Sequence, residues 1–378
     1  MISLLVISKS AVPPFLLRGI VFLLLLMAQP ALAVTWSQEI SVPLEENYDT
    51  NPLMTSSNAT SVWRSIISPH YILTGVKDLN RWYADATLRV ERTSDQDVSI
   101  NREDPALTLG WKHEMEKGEF GFRLHYDEAS SRTTQLLETG QVVGADATRV
   151  SKSVGVDWEK YLTEKMSLAL TAETNKVTFT GGTTPDYRSH MASANLGYIW
   201  SERLEPFLQL SLYRYEPQDN QAPTNLYTAV AGVKLKASER MDITVNGGLN
   251  RSTGASQDTG WQGGVDMNYV AEKHQWRLGL LRSLTPAGNG GFIESDQAIG
   301  SWGYELSDRS RTGLDLSLRK NHGDSQSETS RIGAWYAYEL NSFWNFRASC
   351  SHRESSNSGL NANANVLGLT LTFTHPDF

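Results

Sequence analysis

From Trp36 onward, apolar and polar residues alternate with a period of two in segments about ten residues long. In Thr312–Arg319, Leu314, Leu316 and Leu318 fall on one face, and Gly313, Asp315, Ser317 and Arg319 on the other. Met241, Ile243, Val245 and Leu249 are set against Asp242, Thr244 and Asn246 in the same way. Further stripes run through Trp82-Ala84-Ala86-Leu88-Val90, Phe120-Phe122-Leu124-Tyr126, Tyr227-Ala229-Ala231-Val233-Leu235 and Ile332-Ala334-Tyr336-Tyr338. Successive side chains of a strand point to opposite faces of its sheet, so this is strand periodicity and not helical periodicity.

The pattern predicts eighteen strands, near 36–48, 61–76, 80–93, 105–116, 118–129, 148–162, 165–180, 187–200, 204–215, 225–237, 241–251, 260–271, 274–285, 297–306, 311–320, 329–340, 343–354 and 364–374. Sixteen is the alternative, because 61–76 and 204–215 each contain a proline. Connections alternate in kind. Short ones recur as Thr163-Glu164-Lys165, Ser201-Glu202-Arg203, Ser238-Glu239-Arg240, Ala271-Glu272-Lys273 and Ser307-Asp308-Arg309, spaced 38, 37, 33 and 36 residues apart. Longer ones, such as 49–60, 93–105, 130–147, 216–224, 252–260 and 320–329, are rich in Gly, Asn, Asp, Ser and Pro. The repeating unit is therefore one up-and-down hairpin.

Strands of about ten residues suit a tilted membrane crossing, whereas sandwich strands run to about five or six. Trp36, Trp82, Trp158, Tyr161, Trp200, Tyr269, Trp276, Tyr338 and Trp344 stand at segment ends, as interfacial girdles do. In lipid, only a sheet closed on itself satisfies its backbone. The expectation is an all-β chain: a closed antiparallel transmembrane β-barrel of about 18 strands, with short periplasmic turns and longer extracellular loops, formed by residues 34–378 as a single domain.

Composition narrows the picture. Lys9 and Arg18 precede an apolar run from Gly19 to Ala28 and the small-x-small site Ala31-Leu32-Ala33, so residues 1–33 read as a cleaved signal peptide. Sec-type export to the outer membrane of a Gram-negative bacterium is the expected route. That leader removes two of the 34 basic residues, leaving 32 against 42 acids, about −10. With no basic block, nucleic-acid binding is not expected. A lone cysteine, Cys350, excludes an internal disulfide framework and Cys-based clusters. No later apolar run is long enough for a helical span.

Two stretches carry resemblances. Gly368, Leu369, Leu371 and Phe373, with the terminal Phe378, resemble the signal read by the barrel-assembly machinery. Val366 stands where that pattern prefers a polar residue, and His375-Pro376 puts Phe378 out of phase. The stretch Glu46-Asn47-Tyr48-Asp49-Thr50-Asn51-Pro52 and the terminal segment 365–378 are similar to outer-membrane barrels encoded with proteobacterial exopolysaccharide or exosortase loci. The resemblance implies a porin-like barrel serving polysaccharide secretion, with separate periplasmic export proteins as partners beside membrane lipid. It supplies no catalytic residues.

Ser351, His352 and Glu354, or Ser189 and His190, would have to converge to form a nucleophilic site, but neighbours on one strand diverge, so no enzyme is expected. Asp95, Asp97, Glu103 and Asp104 surround Arg102 without EF-hand spacing and read as a solvated acidic loop in preference to the alternative, a calcium site. No phosphate loop is present and no cofactor is implied. The informative residues are those opposite the lipid stripe. Early strands present Asp85, Glu91, Asp127, Asp157, Glu159 and Glu173, with Arg89, Lys112 and Arg123; late strands present Arg277, Arg311, Arg319, Arg331 and Arg347, with Asp315 and Glu339. An aqueous pore with an acidic arc facing a basic one is expected, carrying hydrophilic solutes or a secreted exopolysaccharide. The alternative is a non-conducting barrel that anchors extracellular polymer; a barrel enzyme comes last.

Overall fold

The computed structural model describes residues 34–378 except 140–146, 182–183, 219–221, 255–257, 287–291, 323–325, 358–359 and 377–378. The leader and Phe378 thus lie outside the described residues. The strands are β1 (Thr35–Asp49), β2 (Val62–Ile67), β3 (His70–Lys77), β4 (Asn80–Thr93), β5 (Arg102–Met115), β6 (Gly118–Ser130), β7 (Thr148–Tyr161), β8 (Met166–Thr180), β9 (Tyr187–Tyr198) and β10 (Leu204–Pro217). They continue as β11 (Thr224–Ser238), β12 (Met241–Gly254), β13 (Asp258–Val270), β14 (His274–Pro286), β15 (Phe292–Ser307), β16 (Ser310–His322), β17 (Ser327–Glu339), β18 (Trp344–Asn357) and β19 (Leu360–Pro376). One helix, α1 (Ser131–Thr139), follows β6.

All strands join one antiparallel sheet, and β1 pairs with β19 from Glu39↔Pro376 to Asp49↔Val366, so the sheet closes. β2 and β3 lie end to end as one interrupted strand, since both pair with β4. The 19 segments are therefore 18 staves. Pro69 causes the interruption: it has no N–H to give the ladder, and its carbonyl accepts from Leu88 N at 3.1 Å. Pro206, in contrast, is accommodated within an unbroken β10, opposite Val233.

Register merges the apolar stripes into one band. Leu204 meets Leu235, Ile243 meets Met267, Leu316 meets Ile332 and Leu44 meets Leu371. This face is bare, with Leu249 67% and Leu280 62% exposed, and a surface so apolar needs lipid. Aromatic pairs edge it on the turn side, Trp276 with Trp302 at 5.9 Å and Trp344 with Phe373 at 5.2 Å. The repeated turns have a chemical cause. Hydroxyls of Thr163, Ser201, Ser238 and Ser307 accept from the N–H two residues on, at 3.2 to 3.4 Å, which replaces a lost ladder bond in each reversal.

Two expectations change in detail. The loops expected at 252–260 and 320–329 are mostly strand, since β12 runs to Gly254, β13 starts at Asp258, β16 reaches His322 and β17 starts at Ser327. Beyond the membrane both faces meet water, so strand pairing persists where alternation has stopped. The loop 130–147 opens with α1, which its polar composition did not announce.

Candidate functional site: an arginine-lined lumen

A cavity of about 380 Å³ identifies the inside of the barrel. It is lined by Arg132, Thr133 and Leu136 of α1 together with Gln297, Ser317 and Arg319 of β15 and β16. Since β6, which leads into α1, and β16 are eight strands apart by the shorter way round, these groups can meet only across the lumen. Ser317 and Arg319 therefore point inward, and Leu314, Leu316 and Leu318 outward. Register places Arg277, Arg311, Arg319, Arg331, Arg347, Asp157, Glu159 and Glu173 on the same face of the sheet as Ser317.

The cavity is built of guanidinium groups. Arg64, Arg102, Arg132, Arg319, Arg331 and Arg353 line it, against Asp49 and Glu91. Asp49, 1% exposed, accepts from Arg64 at 3.2 Å and from Arg353 at 3.3 Å on one oxygen, while its other oxygen accepts Asn51 N at 3.0 Å. Arg102 is held by Asp104 at 2.9 Å, and Arg132 donates to Val98 O at 2.8 Å, which ties α1 to the loop before β5. Arg331 stands opposite Arg353 across the ladder. Among the described residues Arg331 has no acid partner, and the buried Nε atoms of Arg64 and Arg353 have no acceptor. Among the described residues the lining carries these six guanidinium groups and the carboxylates of Asp49 and Glu91, in a narrow, partly dehydrated space where electrostatic attraction is strengthened.

The remaining late arginines form a second tier nearer the turns. A cavity of about 450 Å³ is lined by Arg277, Arg311, Asp315, Trp335 and Arg347. Arg347 stacks over the Trp335 ring at 4.4 Å. That ring lies flat on Gly313, where a Cβ would stand 2.5 Å from it, so only glycine permits the approach. Arg277 reaches Asp266 at 3.6 Å and Arg311 reaches Glu305 at 3.7 Å. Arg311 and Arg319 are eight residues apart on β16, roughly 26 Å along the strand.

The early acids mostly meet basic side chains of their own arc. Glu173 pairs with Arg123 at 3.1 Å, Asp85 with His70 at 2.9 Å and Asp127 with His125 at 3.0 Å, and Glu91 is shared by Arg64 and Arg89. Among the described residues Asp157 accepts from the Thr171 hydroxyl alone, at 3.1 Å, and Glu159 stands opposite Glu119. Ser351 faces inward with Gly333, whereas His352 faces outward with Ile332 and is bound by Asn365 at 2.8 Å. Ser189 and His190 diverge likewise. Glu103 pairs outward with Arg92 and Asp104 inward with Arg102, so the acidic loop is dispersed; no metal-holding cluster occurs among the described residues.

Sequence reasoning missed Arg64, Arg102, Arg132 and Arg353. Arg353 shares the odd-numbered face of β18 with Arg347 and was open to the same parity rule. Arg64 sits on the six-residue stave ahead of Pro69, and Arg132 on a helix inside a polar loop, where no periodicity announces it.

Gly368, Leu371 and Phe373 all lie in β19, with Leu371 opposite Phe346 and Phe373 opposite Trp344 on the outer face. Gly368 lies under the Asn47 amide, where a Cβ would stand 2.7 Å from its oxygen.

No protein-family model matches the sequence, and no curated protein does either. Solved structures do. The chain is similar to the outer-membrane protein OpdK of Pseudomonas aeruginosa, with TM-score 0.51 and 12% identity over 90% of this chain and 99% of that one. It is similar to OccK9 (OpdG) of Pseudomonas aeruginosa, with TM-score 0.53 and 10% identity over 90% and 98%. OccAB4 of Acinetobacter baumannii gives TM-score 0.53 and 11% identity over 92% and 100%. At such identity the likeness is one of fold, that of an 18-stave outer-membrane porin.

Proposed function

We propose that the chain is an outer-membrane channel for small hydrophilic solutes bearing carboxylate or sulfate groups, handed between two tiers of arginine. The observation that carries this reading is the Arg331–Arg353 juxtaposition, in a cavity whose described lining holds more guanidinium than carboxylate. Arginine's planar fork suits carboxylate and sulfate, and a charged lining sets selectivity by its field. In the second tier an arginine beside an indole suits a solute with a flat ring. OpdK was crystallised with vanillate, and an aromatic carboxylate of that kind meets both requirements. The outer-membrane compartment is supported by the leader and by the exposed apolar band.

Passage of an acidic exopolysaccharide chain is the second reading, favoured by the resemblance of residues 46–52 to barrels of exopolysaccharide loci. Asp49 and Asn51 of that stretch act here on the barrel's own closure, and α1 lies across the path, so the small solute is preferred. Arg319→Gln, Arg331→Gln and Arg347→Gln combined provide the test in planar bilayers and loaded liposomes. Ion selectivity should shift toward cations and benzoate or glucuronate flux should fall several-fold, with assembly intact. An unchanged reversal potential and unchanged flux would remove the channel role of the arginines; undiminished passage of long acidic oligosaccharides would favour the polymer.

A further inference from the structure

The outer wall from β7 to β10 carries charge that the lumen does not use. Register sets Lys152 opposite Lys176, Lys176 opposite Arg188, and His190 opposite Arg214. These share the face of the exposed Val154, Leu170 and Leu212, and lie toward the loop end of each strand. Directly opposed side chains on one face of a sheet stand about 5 Å apart at Cβ, and like charges so placed repel. Few acids answer them. Glu216 binds Arg214 at 2.6 Å and lies 3.8 Å from His190, and Glu128 accepts from the Tyr126 hydroxyl. Lys152 sits 5.6 Å from the Tyr126 ring; Arg188 stands opposite Glu216, the acid that Arg214 already binds, and neither Lys176 nor Arg188 makes an ion pair among the described residues.

Just beneath this row the wall is hollowed. A shallow apolar depression of about 660 Å³ has Ala172, Ala192 and Ala194 as its floor and Trp158, Leu170 and Leu212 along its sides. Cations above an apolar trough, on a wall that faces lipid, match an amphiphile with an anionic head and a hydrocarbon chain. The cations span three strands, about 10 Å at the usual strand spacing, wider than a single phosphate covers. We propose that this patch binds a bis-phosphorylated glycolipid of the outer leaflet, its phosphates on Lys152, Lys176 and Arg188 and an acyl chain in the alanine trough. The proposal does not depend on what passes through the lumen, only on the outer wall facing the membrane.

Native mass spectrometry of the intact barrel, titrated with bis-phosphorylated lipid A, tests it. One lipid should be retained, and Lys152→Gln/Lys176→Gln/Arg188→Gln should weaken retention about tenfold, as loss of charge-assisted bonds does. Ala192→Trp, which fills the trough and keeps every cation, should weaken it too, and millimolar inorganic phosphate should not compete. Equal retention by the triple variant, or equally tight binding of dephosphorylated lipid A, overturns the phosphate site. Undiminished binding by Ala192→Trp overturns the seating of the chain, and full competition by phosphate overturns the lipid. If the triple variant fails to assemble, Lys176→Gln alone, assembled and read in the same titration, supports the proposal by weaker retention and overturns it by none.

Discussion

Adjacent residues of one strand in this wall meet different solvents. Leu316 is 43% exposed on the outer band, and Ser317, one step on, lines the cavity with Arg319 and Arg331. Arg at Leu316 should cost about 2–4 kcal/mol and impair assembly, because the charge would lie near mid-membrane. Arg at Ser317 should assemble normally, lower the conductance and strengthen anion preference. Heat-modifiable gel mobility and planar-bilayer recording distinguish the two, and equal tolerance at both positions would mean that the strand faces are misassigned. Parity made this much legible from the sequence, since a period of two names the face of each residue once one face is known. Parity gives no depth, however. Arg319 and Arg311 read alike along β16 yet serve separate tiers, a distinction that arises only from strand length, tilt and the side chains that cross from α1.

At the scale of elements, the segment after β1 acts as a latch on the seam. Asn51 donates to Thr55 O at 2.9 Å and to Asn363 O at 3.0 Å, while its carbonyl oxygen accepts Thr55 N at 3.0 Å. It thereby joins the first loop to β19 across the closing pair of strands. Asn51→Ala leaves buried groups unanswered and should cost about 1–3 kcal/mol. Ser238→Ala, at an exposed turn, removes one weak local bond and should change stability by no more than about 0.5 kcal/mol. The checking measurement is the temperature or urea concentration at which the folded gel band is lost, with Asn51→Ala failing first. Residues 46–52 stood out in the sequence by resemblance alone; the reason for them, a bond to a residue more than three hundred positions away, depends on ring closure and is invisible to local periodicity.

At the scale of the whole molecule, closure of 18 staves makes a lumen too wide for wall side chains to fill, so whatever lies across it decides what passes. Among the described residues α1 is the element that crosses. Its loop is attached at a tight base: Ser130 pairs with Thr148, Ser131 N donates to Ala147 O at 2.8 Å, and the Ser131 hydroxyl accepts Ala147 N at 3.0 Å. Because the two ends already meet there, replacing residues 132–146 by a short Gly-Ser linker leaves the register of β6 and β7 intact. The variant loses Arg132 from the cavity and its bond to Val98, but keeps Arg319, Arg331 and Arg353 on the wall. Single-channel conductance should rise, on the order of twofold, and larger oligosaccharides should enter, because a physical obstruction has gone. Anion preference should weaken but persist, since the wall arginines act through a wider, better hydrated gap where their field is screened. An unchanged conductance would place the narrowest point elsewhere, with the second tier around Trp335 and Arg347 as its position. Complete loss of anion preference would instead make Arg132 the selecting cation and reduce the wall arginines to charges spent within the wall.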